Sequence, residues 1–178
     1  VSTQSRCRRV CRAGEADGER GVLSMKVYEL KREQVVAQDI EEVFAFFERP
    51  ENLARITPPS MDFSILTPSP ITMQSGALVD YTVKIMGIRS RWTTLITDYG
   101  PPHRFTDVQL RGPYSYWHHA HRFEPIDGGT RLVDEVRYVL PYGPLGQMAH
   151  ALLVKRQLRK IFDHRMQVVD GLLNQAGQ

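Results

Sequence analysis

Hydrophobic and polar residues alternate along much of the chain, and this alternation predicts a β-sheet. Each alternating stretch has the period of two residues that is typical of a strand with one buried face. The predicted strands span 26–36, 61–66, 77–86, 89–98, 104–110, 114–124 and 130–140. Short clusters of glycine and proline, which are typical of turns, separate the strands between 77 and 140. Because successive strands joined by short turns pair with one another, the pattern predicts an antiparallel meander.

Two short helices are predicted directly after the first strand. Asp39 is a suitable N-cap, and the acidic residues that follow it favour the first turn of a helix. The apolar face of this helix consists of Val43, Phe44, Phe46 and Phe47. Pro50 ends the first helix and begins the second, which Pro58 and Pro59 terminate.

The segment 145–173 has helical periodicity and predicts one amphipathic helix of about eight turns, roughly 40 Å long. Its apolar positions recur at spacings of three, four or six residues and are Leu145, Met148, Ala149, Leu152, Leu158, Ile161, Phe162, Met166, Val169 and Leu173. Basic residues occupy much of the remaining surface, namely Lys155, Arg156, Arg159, Lys160 and Arg165. Since an antiparallel sheet has an apolar face to cover, we predict an α+β fold. A curved antiparallel sheet of six or seven strands wraps on this long C-terminal helix.

Composition indicates one globular domain preceded by an extension of different character. The 178 residues are 42% hydrophobic and carry a net charge of +3, which suits one domain of ordinary size. Residues 1–24 contain five arginines against three acidic residues, so they hold two of the three net positive charges. We expect a disordered extension over 1–24 and a single domain over 25–176. The nearly neutral net charge of the domain does not indicate a nucleic-acid partner, which requires a basic face, and we predict none.

The cysteines and the hydropathy pattern indicate a cytoplasmic protein. Cys7 and Cys11 both lie in the extension, so the domain has no thiolate for a disulfide or a metal ion. No apolar run reaches the roughly 18 residues that span a membrane, and the extension lacks the apolar core of a secretory signal. We expect Met25 to be an alternative start of the protein.

Several short motifs accompany the predicted elements. They are Arg49-Pro50-Glu51-Asn52-Leu53, Thr57-Pro58-Pro59, the run from Phe105 and Asp107 to Gly112-Pro113, WHHAHRFEP at 117–125, and Tyr142-Gly143-Pro144-Leu145-Gly146. With the order of elements over about 26–174, they resemble the START/Bet v 1-like (SRPBCC) helix-grip superfamily, in its bacterial polyketide cyclase/dehydrase-like branch. The resemblance implies a cavity between the sheet and the C-terminal helix that takes an apolar ligand.

The densest group of polar side chains lies on the 114–124 strand. Alternation places five residues on one face, which is expected to point inward: Ser115, Trp117, His119, His121 and Phe123. The inward faces of the neighbouring strands add Asp107, Gln109 and Asp134. If all three faces point at the helix, two histidines, two aspartates and a glutamine share one cavity.

Three interpretations of this polar group are open. It is a satisfied hydrogen-bond network that fixes the sheet, or a catalytic group in which His119 or His121 moves a proton and Asp107 or Asp134 orients it. The third is a zinc or iron site on the two histidines. However, only two residues separate His121 from Glu124, fewer than a cupin-like motif needs, and the long helix does not suit a cupin. We therefore predict no metal, and no sequence motif indicates another cofactor.

We predict that the protein binds a small hydrophobic or amphipathic molecule, such as a lipid or a polyketide. The predicted ligand-binding residues are Tyr81, Trp92, Phe105, Gln109, Trp117, Phe123, Tyr138, Met148 and Leu152. Loops 57–59 and 68–70 and the hinge 143–146 are expected to gate entry. The alternative is a cyclase or dehydratase acting on a polyketide-like substrate.

Two further possibilities concern partners. The basic residues Lys155, Arg156, Arg159 and Lys160 would permit transient contact with anionic lipid head groups. If side chains fill the interior instead, the domain is an interaction module without a ligand, and the volume of the cavity separates these cases. The sequence leaves the oligomeric state open.

Overall fold

A computed structural model describes residues 26–174, and the predicted extension over 1–24, with both cysteines, lies outside the described residues. Seven strands form one antiparallel sheet in the order β1-β7-β6-β5-β4-β3-β2. They are β1 (Tyr28–Val36), β2 (Ser64–Ile65), β3 (Leu78–Ile85), β4 (Ile88–Gly100), β5 (Arg104–Arg111), β6 (Tyr116–Ile126) and β7 (Gly129–Val139). The predicted meander is confirmed over β2–β7, and β1 is the edge strand that pairs with β7.

Three strands differ from the prediction. β2 is only two residues long, because Pro59–Met61 form a 3-10 turn and Asp62 has a left-handed φ of 45°. β4 is longer than predicted and has two register shifts against β5, which bend a sheet. β6 begins at Tyr116, so Tyr114 lies outside the alternation and is buried instead of pointing outward.

The two predicted short helices are present. Helix α1 (Ile40–Phe47) begins after Asp39, whose side chain makes no capping hydrogen bond; its carbonyl accepts from the Val43 amide. A 3-10 turn at Pro50–Asn52 leads into α2 (Leu53–Ile56). The aromatic rings of α1 pack on the sheet, as in the edge-to-face contact of Phe44 with Phe123 at 5.3 Å.

The C-terminal helix is present but contains two turns of π geometry. Helix α3 (Gly143–Ala149) continues through a π turn (His150–Val154) into α4 (Lys155–Val169) and ends in a second π turn (Asp170–Asn174). Among residues 26–174, no helix is both long and apolar enough to cross a membrane.

The predicted apolar face of this helix is wrong in its first half. Leu145, Met148 and Leu152 are 68%, 58% and 67% exposed. The six-residue gap from Leu152 to Leu158 is the cause, because six residues advance a helix by about one and two-thirds turns. The two sets of apolar residues therefore lie on different faces, and only the second set faces the sheet.

The predicted placement of Arg165 on this helix is also wrong. This residue was expected on the polar surface but is buried, at 9% exposure. Its spacing from Leu158, Phe162 and Val169 is that of one helical stripe, and all three of those residues are buried. Arg165 thus points at the sheet together with the apolar residues of α4.

Two groups of buried apolar residues lie between the sheet and the helices. One group surrounds Trp92 and Trp117 and includes Leu158 and Phe162 of α4. The other joins α1 to the sheet and to Val169 near the end of α4. The polar residues predicted to face inward lie at the junction of these groups.

Candidate functional site

A cavity of about 190 Å³ lies between the sheet, helix α2 and helix α4. The interior is therefore not filled by side chains, which argues against an interaction module with a solid core. Its walls are mostly aromatic and aliphatic, and the sheet supplies Tyr81, Val83, Trp92, Ile96, Phe105 and Trp117. The helices supply Leu53, Ile56, Leu158, Ile161 and Phe162.

Four of the predicted ligand-binding residues line this cavity, namely Tyr81, Trp92, Phe105 and Trp117. Met148 and Leu152 do not, because they lie on the exposed face of the C-terminal helix. Of the predicted gating segments, Thr57 lines the cavity, whereas 68–70 and 143–146 do not.

The other three predicted residues support the wall from behind. Phe123 packs on Phe105 with a centroid distance of 6.0 Å, and Tyr138 packs on Trp117 at 6.1 Å. The Gln109 side chain donates to the Tyr114 carbonyl at 2.7 Å and accepts from the Tyr114 amide at 3.3 Å. Gln109 thereby closes the β5–β6 turn and holds Tyr114 in the cavity wall, a residue that strand alternation could not place there.

The predicted histidines and aspartates form one buried cluster. Asp107 Oδ2 lies 3.2 Å from His121 Nε2 and 3.5 Å from His119 Nδ1. Asp134 Oδ1 lies 3.1 Å from His119 Nε2 and 2.8 Å from His121 Nδ1. Asp107 Oδ2 therefore contacts both imidazoles from one side of the pair, and Asp134 Oδ1 contacts both from the other side. His119, His121 and Asp107 line the cavity, whereas Asp134 lies behind the rings.

Strand pairing explains why these four residues meet. β6 is flanked by β5 and β7, with Asp107 directly opposite His119 and Asp134 directly opposite His121. Residues two apart on a strand point to the same face. The side chains of three adjacent strands thus converge on the same inner face.

Arg165 completes the cluster from helix α4. Its Nη2 lies 3.6 Å from Asp134 Oδ1 and 3.4 Å from His121 Nδ1. The guanidinium also lies over the Phe47 ring at 5.1 Å. Sequence reasoning does not predict Arg165 as a site residue. Its helical spacing from Leu158 and Phe162 nevertheless indicates that it faces the sheet.

The carboxylates are held in the charged state. Burial alone would raise the pKa of Asp107, but the hydrogen bond from His121 and the neighbouring positive charges outweigh it and lower that pKa. Burial acts in the same way on Asp134, and the Arg165 charge together with both histidines lowers its pKa well below the usual range.

The two histidines differ in protonation. Burial and the charge of His121 lower the pKa of His119 to about 4. Burial opposes the charge on His121 as well, but its hydrogen bonds to Asp107 and Asp134 raise its pKa. The cluster therefore favours a charged His121 beside Arg165 and a neutral His119, a state in which two positive charges balance the two carboxylates.

This protonation state assigns the hydrogen bonds. Charged His121 donates from Nε2 to Asp107 and from Nδ1 to Asp134. Neutral His119 donates from Nε2 to Asp134 at 3.1 Å, which leaves a lone pair on Nδ1. The cavity wall therefore carries an unprotonated imidazole nitrogen 3.5 Å from Asp107 Oδ2, on a ring whose opposite nitrogen donates to Asp134.

Two buried donors in the cavity wall lack a protein partner. Trp92 Nε1 and Arg165 Nε are buried without a hydrogen bond among the described residues. An unsatisfied buried donor is costly.

The curved sheet, the C-terminal helix and the cavity between them define a helix-grip protein. Residues 36–167 match the family described as polyketide cyclase/dehydrase and lipid transport. The match covers more than half of the chain, so the protein belongs to this family within the START/Bet v 1-like superfamily. No curated protein sequence matches the chain.

Solved structures share the fold. The ZhuI aromatase/cyclase from Streptomyces sp. R1128 superposes with a TM-score of 0.69 at 18% identity, covering 86% of this chain and 97% of that one. TTHA0849 from Thermus thermophilus has a TM-score of 0.64 at 15% identity, with 85% and 100% coverage. Ara h 8.0201 has a TM-score of 0.53 at 15% identity, with 81% and 98% coverage. These similarities establish the helix-grip fold.

Proposed function

We propose that this protein binds a small apolar or amphipathic molecule, of the lipid or polyketide class, between its sheet and C-terminal helix. The observation that carries the proposal is the cavity of about 190 Å³, with apolar walls and one polar cluster. Pockets of this composition are typical of small-molecule sites. Burial of apolar ligand surface would contribute about 25 cal/mol per Å² before the cost of ordering.

The polar atoms of the wall limit the ligand further. The charged and polar side chains of Asp107, His119, His121 and Arg165 in the wall favour a ligand with a polar group over a pure hydrocarbon. We propose that the apolar body of the ligand lies against Tyr81 and Trp117, with an oxygen directed at His119, His121 and Arg165.

The binding test uses a fluorescent probe and a variant that fills the cavity. The probe is 1-anilinonaphthalene-8-sulfonate, and the competitors are decanoic acid, palmitic acid and a tricyclic anthraquinone. Ile161 lines the cavity, whereas its neighbour Lys160 is exposed. We expect Ile161→Trp to weaken binding about tenfold or more, while Lys160→Trp leaves it unchanged. Equal affinity in both variants, or no competition by any of these molecules, would contradict the proposal.

A second candidate function is cyclase or dehydratase chemistry on a polyketide-like substrate. The specific observation in its favour is the His119 imidazole in the cavity wall, whose Nε2 lies 3.1 Å from Asp134 Oδ1. An imidazole that a carboxylate orients in this way suits proton transfer with a bound ligand. In this alternative, His121 supplies the complementary acid, and Asp107 orients it through the contact of Oδ2 with His121 Nε2 at 3.2 Å.

Turnover separates catalysis from binding. With a β-keto thioester substrate analysed by mass spectrometry, the catalytic hypothesis expects His119→Ala and Asp134→Asn to abolish product while affinity changes only a few-fold. If the protein only binds, no product forms in any variant, and Ile161→Trp has the largest effect on affinity.

A further inference from the structure

Three donor atoms converge at the cavity end of the polar cluster. Asp107 Oδ2, a nitrogen of His119 and a nitrogen of His121 all lie within 4.8 Å of one another. Ligand atoms that bind one ion at about 2.0–2.2 Å are themselves about 3–4 Å apart. Small side-chain rotations would therefore bring all three atoms to a common ion. We propose that Asp107, His119 and His121 form a binding site for a divalent transition-metal ion.

On the opposite side of the rings, a second carboxylate holds both imidazoles in place. Asp134 Oδ1 lies 3.1 Å from His119 Nε2 and 2.8 Å from His121 Nδ1. These are the nitrogens remote from Asp107. Metal-binding histidines almost always donate their other N–H to a carboxylate or carbonyl, which fixes the tautomer and the ring orientation. One carboxylate does this here for both rings.

Arg165 determines which side of the rings would hold the ion. Its guanidinium lies 3.6 Å from Asp134 Oδ1 and would repel a cation there. Asp107 lies on the other side and lines the cavity with both histidines. The ion would therefore bind between Asp107 and the rings, and the Nε2 proton of His121 would be released to solvent in exchange.

The ligand set indicates the kind of ion and of site. Two imidazoles and one carboxylate suit Zn²⁺ or Fe²⁺, whereas Mg²⁺ and Ca²⁺ prefer oxygen ligands. A site with three protein ligands keeps open coordination positions, as catalytic rather than structural metal sites do. Those positions face the cavity, so an oxygen of a bound molecule is the natural further ligand. This site goes beyond the proposed binding of an apolar molecule and does not depend on it.

The test measures binding of the metal alone by the full-length chain. Cys7 and Cys11 are replaced by serine so that their thiolates do not bind metal, and bound ions are removed with a chelator. Titration with Co²⁺ is followed by visible absorption, and titration with Zn²⁺ by calorimetry. We expect one ion per chain, with absorption bands of Co²⁺ bound to nitrogen and oxygen.

His118 provides the matched control, because it lies on the same strand but on the other face from His119. We expect His119→Ala to weaken metal binding at least a hundredfold and His118→Ala to leave it unchanged. Asp134→Asn should keep the stoichiometry and weaken binding about 10- to 100-fold. Asp107→Asn retains the shape of the side chain and tests the site if His119→Ala does not fold; it should weaken binding at least tenfold.

Three results would overturn the metal site. They are no binding at millimolar Co²⁺ or Zn²⁺, equal affinity in the His119→Ala, Asp107→Asn and parent proteins, and equal losses in His118→Ala and His119→Ala. Displacement of the fluorescent probe is measured on the same metal-free samples. It shows whether the apolar cavity still binds ligand when the metal does not.

Discussion

The imidazole rings of His119 and His121 lie with their centroids 3.8 Å apart, at an interplanar angle of 41°. Two imidazolium ions at this distance would repel each other strongly in a buried site. The pair favours a single positive charge, on His121 between the carboxylates of Asp107 and Asp134, because the pKa of His121 is raised and that of His119 is lowered. The stability of the metal-free fold therefore depends on pH on both sides of neutrality.

The first prediction is a maximum in the free energy of unfolding near pH 6.5, the ordinary pKa of histidine. The folded-state pKa of His119 is lowered to about 4. As pH falls from 6.5, the unfolded chain binds a proton that native His119 does not bind, and stability decreases. The pKa of His121 is raised. As pH rises from 6.5 toward the raised pKa of native His121, the native state still holds a proton that the unfolded chain has lost. Stability therefore decreases again over this interval.

Urea unfolding followed by circular dichroism, with EDTA present, measures this dependence. The interval from pH 6.5 to 5 is informative, because ordinary carboxylates titrate below it. We expect His119→Gln to remove the decrease over this interval. An unchanged slope in that variant would show that other groups cause the dependence.

The second prediction concerns Arg165, whose removal leaves the cluster with one uncompensated negative charge. We expect Arg165→Met to lower the free energy of unfolding by about 3–5 kcal/mol, the usual cost of breaking a buried ion pair. It should also raise the pKa of His119, because a second imidazolium would restore neutrality. NMR titration of the histidine ring protons measures this pKa. A loss of stability without a change in the titration would indicate that Arg165 acts only through packing.

The third prediction tests the exposed face of the C-terminal helix. Met148→Ser and Leu152→Ser should change the free energy of unfolding by no more than about 0.5 kcal/mol, as is usual for surface positions. Leu158→Ala, on the buried face of the same helix, should cost about 2–5 kcal/mol. Thermal and urea unfolding compare the three variants. A large loss in Leu152→Ser would mean that this residue faces the core.

The fourth prediction concerns the β6–β7 turn. Gly129 has φ of 152°, and a Cβ there would overlap the backbone carbonyl of Val36 on β1. Gly128 also has a positive φ, of 82°, but a Cβ would meet open space. We expect Gly128→Ala to cost about 1–2 kcal/mol and Gly129→Ala about 3 kcal/mol or more, since overlap adds to conformational strain. Equal effects in urea unfolding would show that the overlap is relieved by a shift of β1.

The inner faces of the central strands were predictable from sequence. Strand alternation is a local property, and it correctly places Trp117, His119, His121 and Phe123 on one face because β6 is regular over these residues. The same logic puts Asp107 and Asp134 on the inner faces of β5 and β7. Alternation does not give register, so the pairing of each aspartate with both rings required the structure.

Residues before β6 and on the C-terminal helix show where periodicity alone does not predict which way a side chain points. Tyr114 lies before β6 begins, and the Gln109 side chain, not strand geometry, directs it inward. The sequence pattern assigns Leu152 and Leu158 to one apolar face, although six residues separate them. A helix of 3.6 residues per turn does not bring residues at this spacing to the same face. Arg165 was assigned to the surface by its charge, although its position on the stripe of α4 indicated the interior.

The His–Asp cluster has a consequence for how the sheet aligns. Its carboxylates and imidazoles come from three neighbouring strands, and each strand pair could in principle slide by two residues without exposing an apolar side chain. Such a slide would move a carboxylate by about 6.6–6.8 Å and leave a buried charge without its partner. The cluster thus penalises misaligned versions of the sheet that would still keep the apolar residues on its inner face.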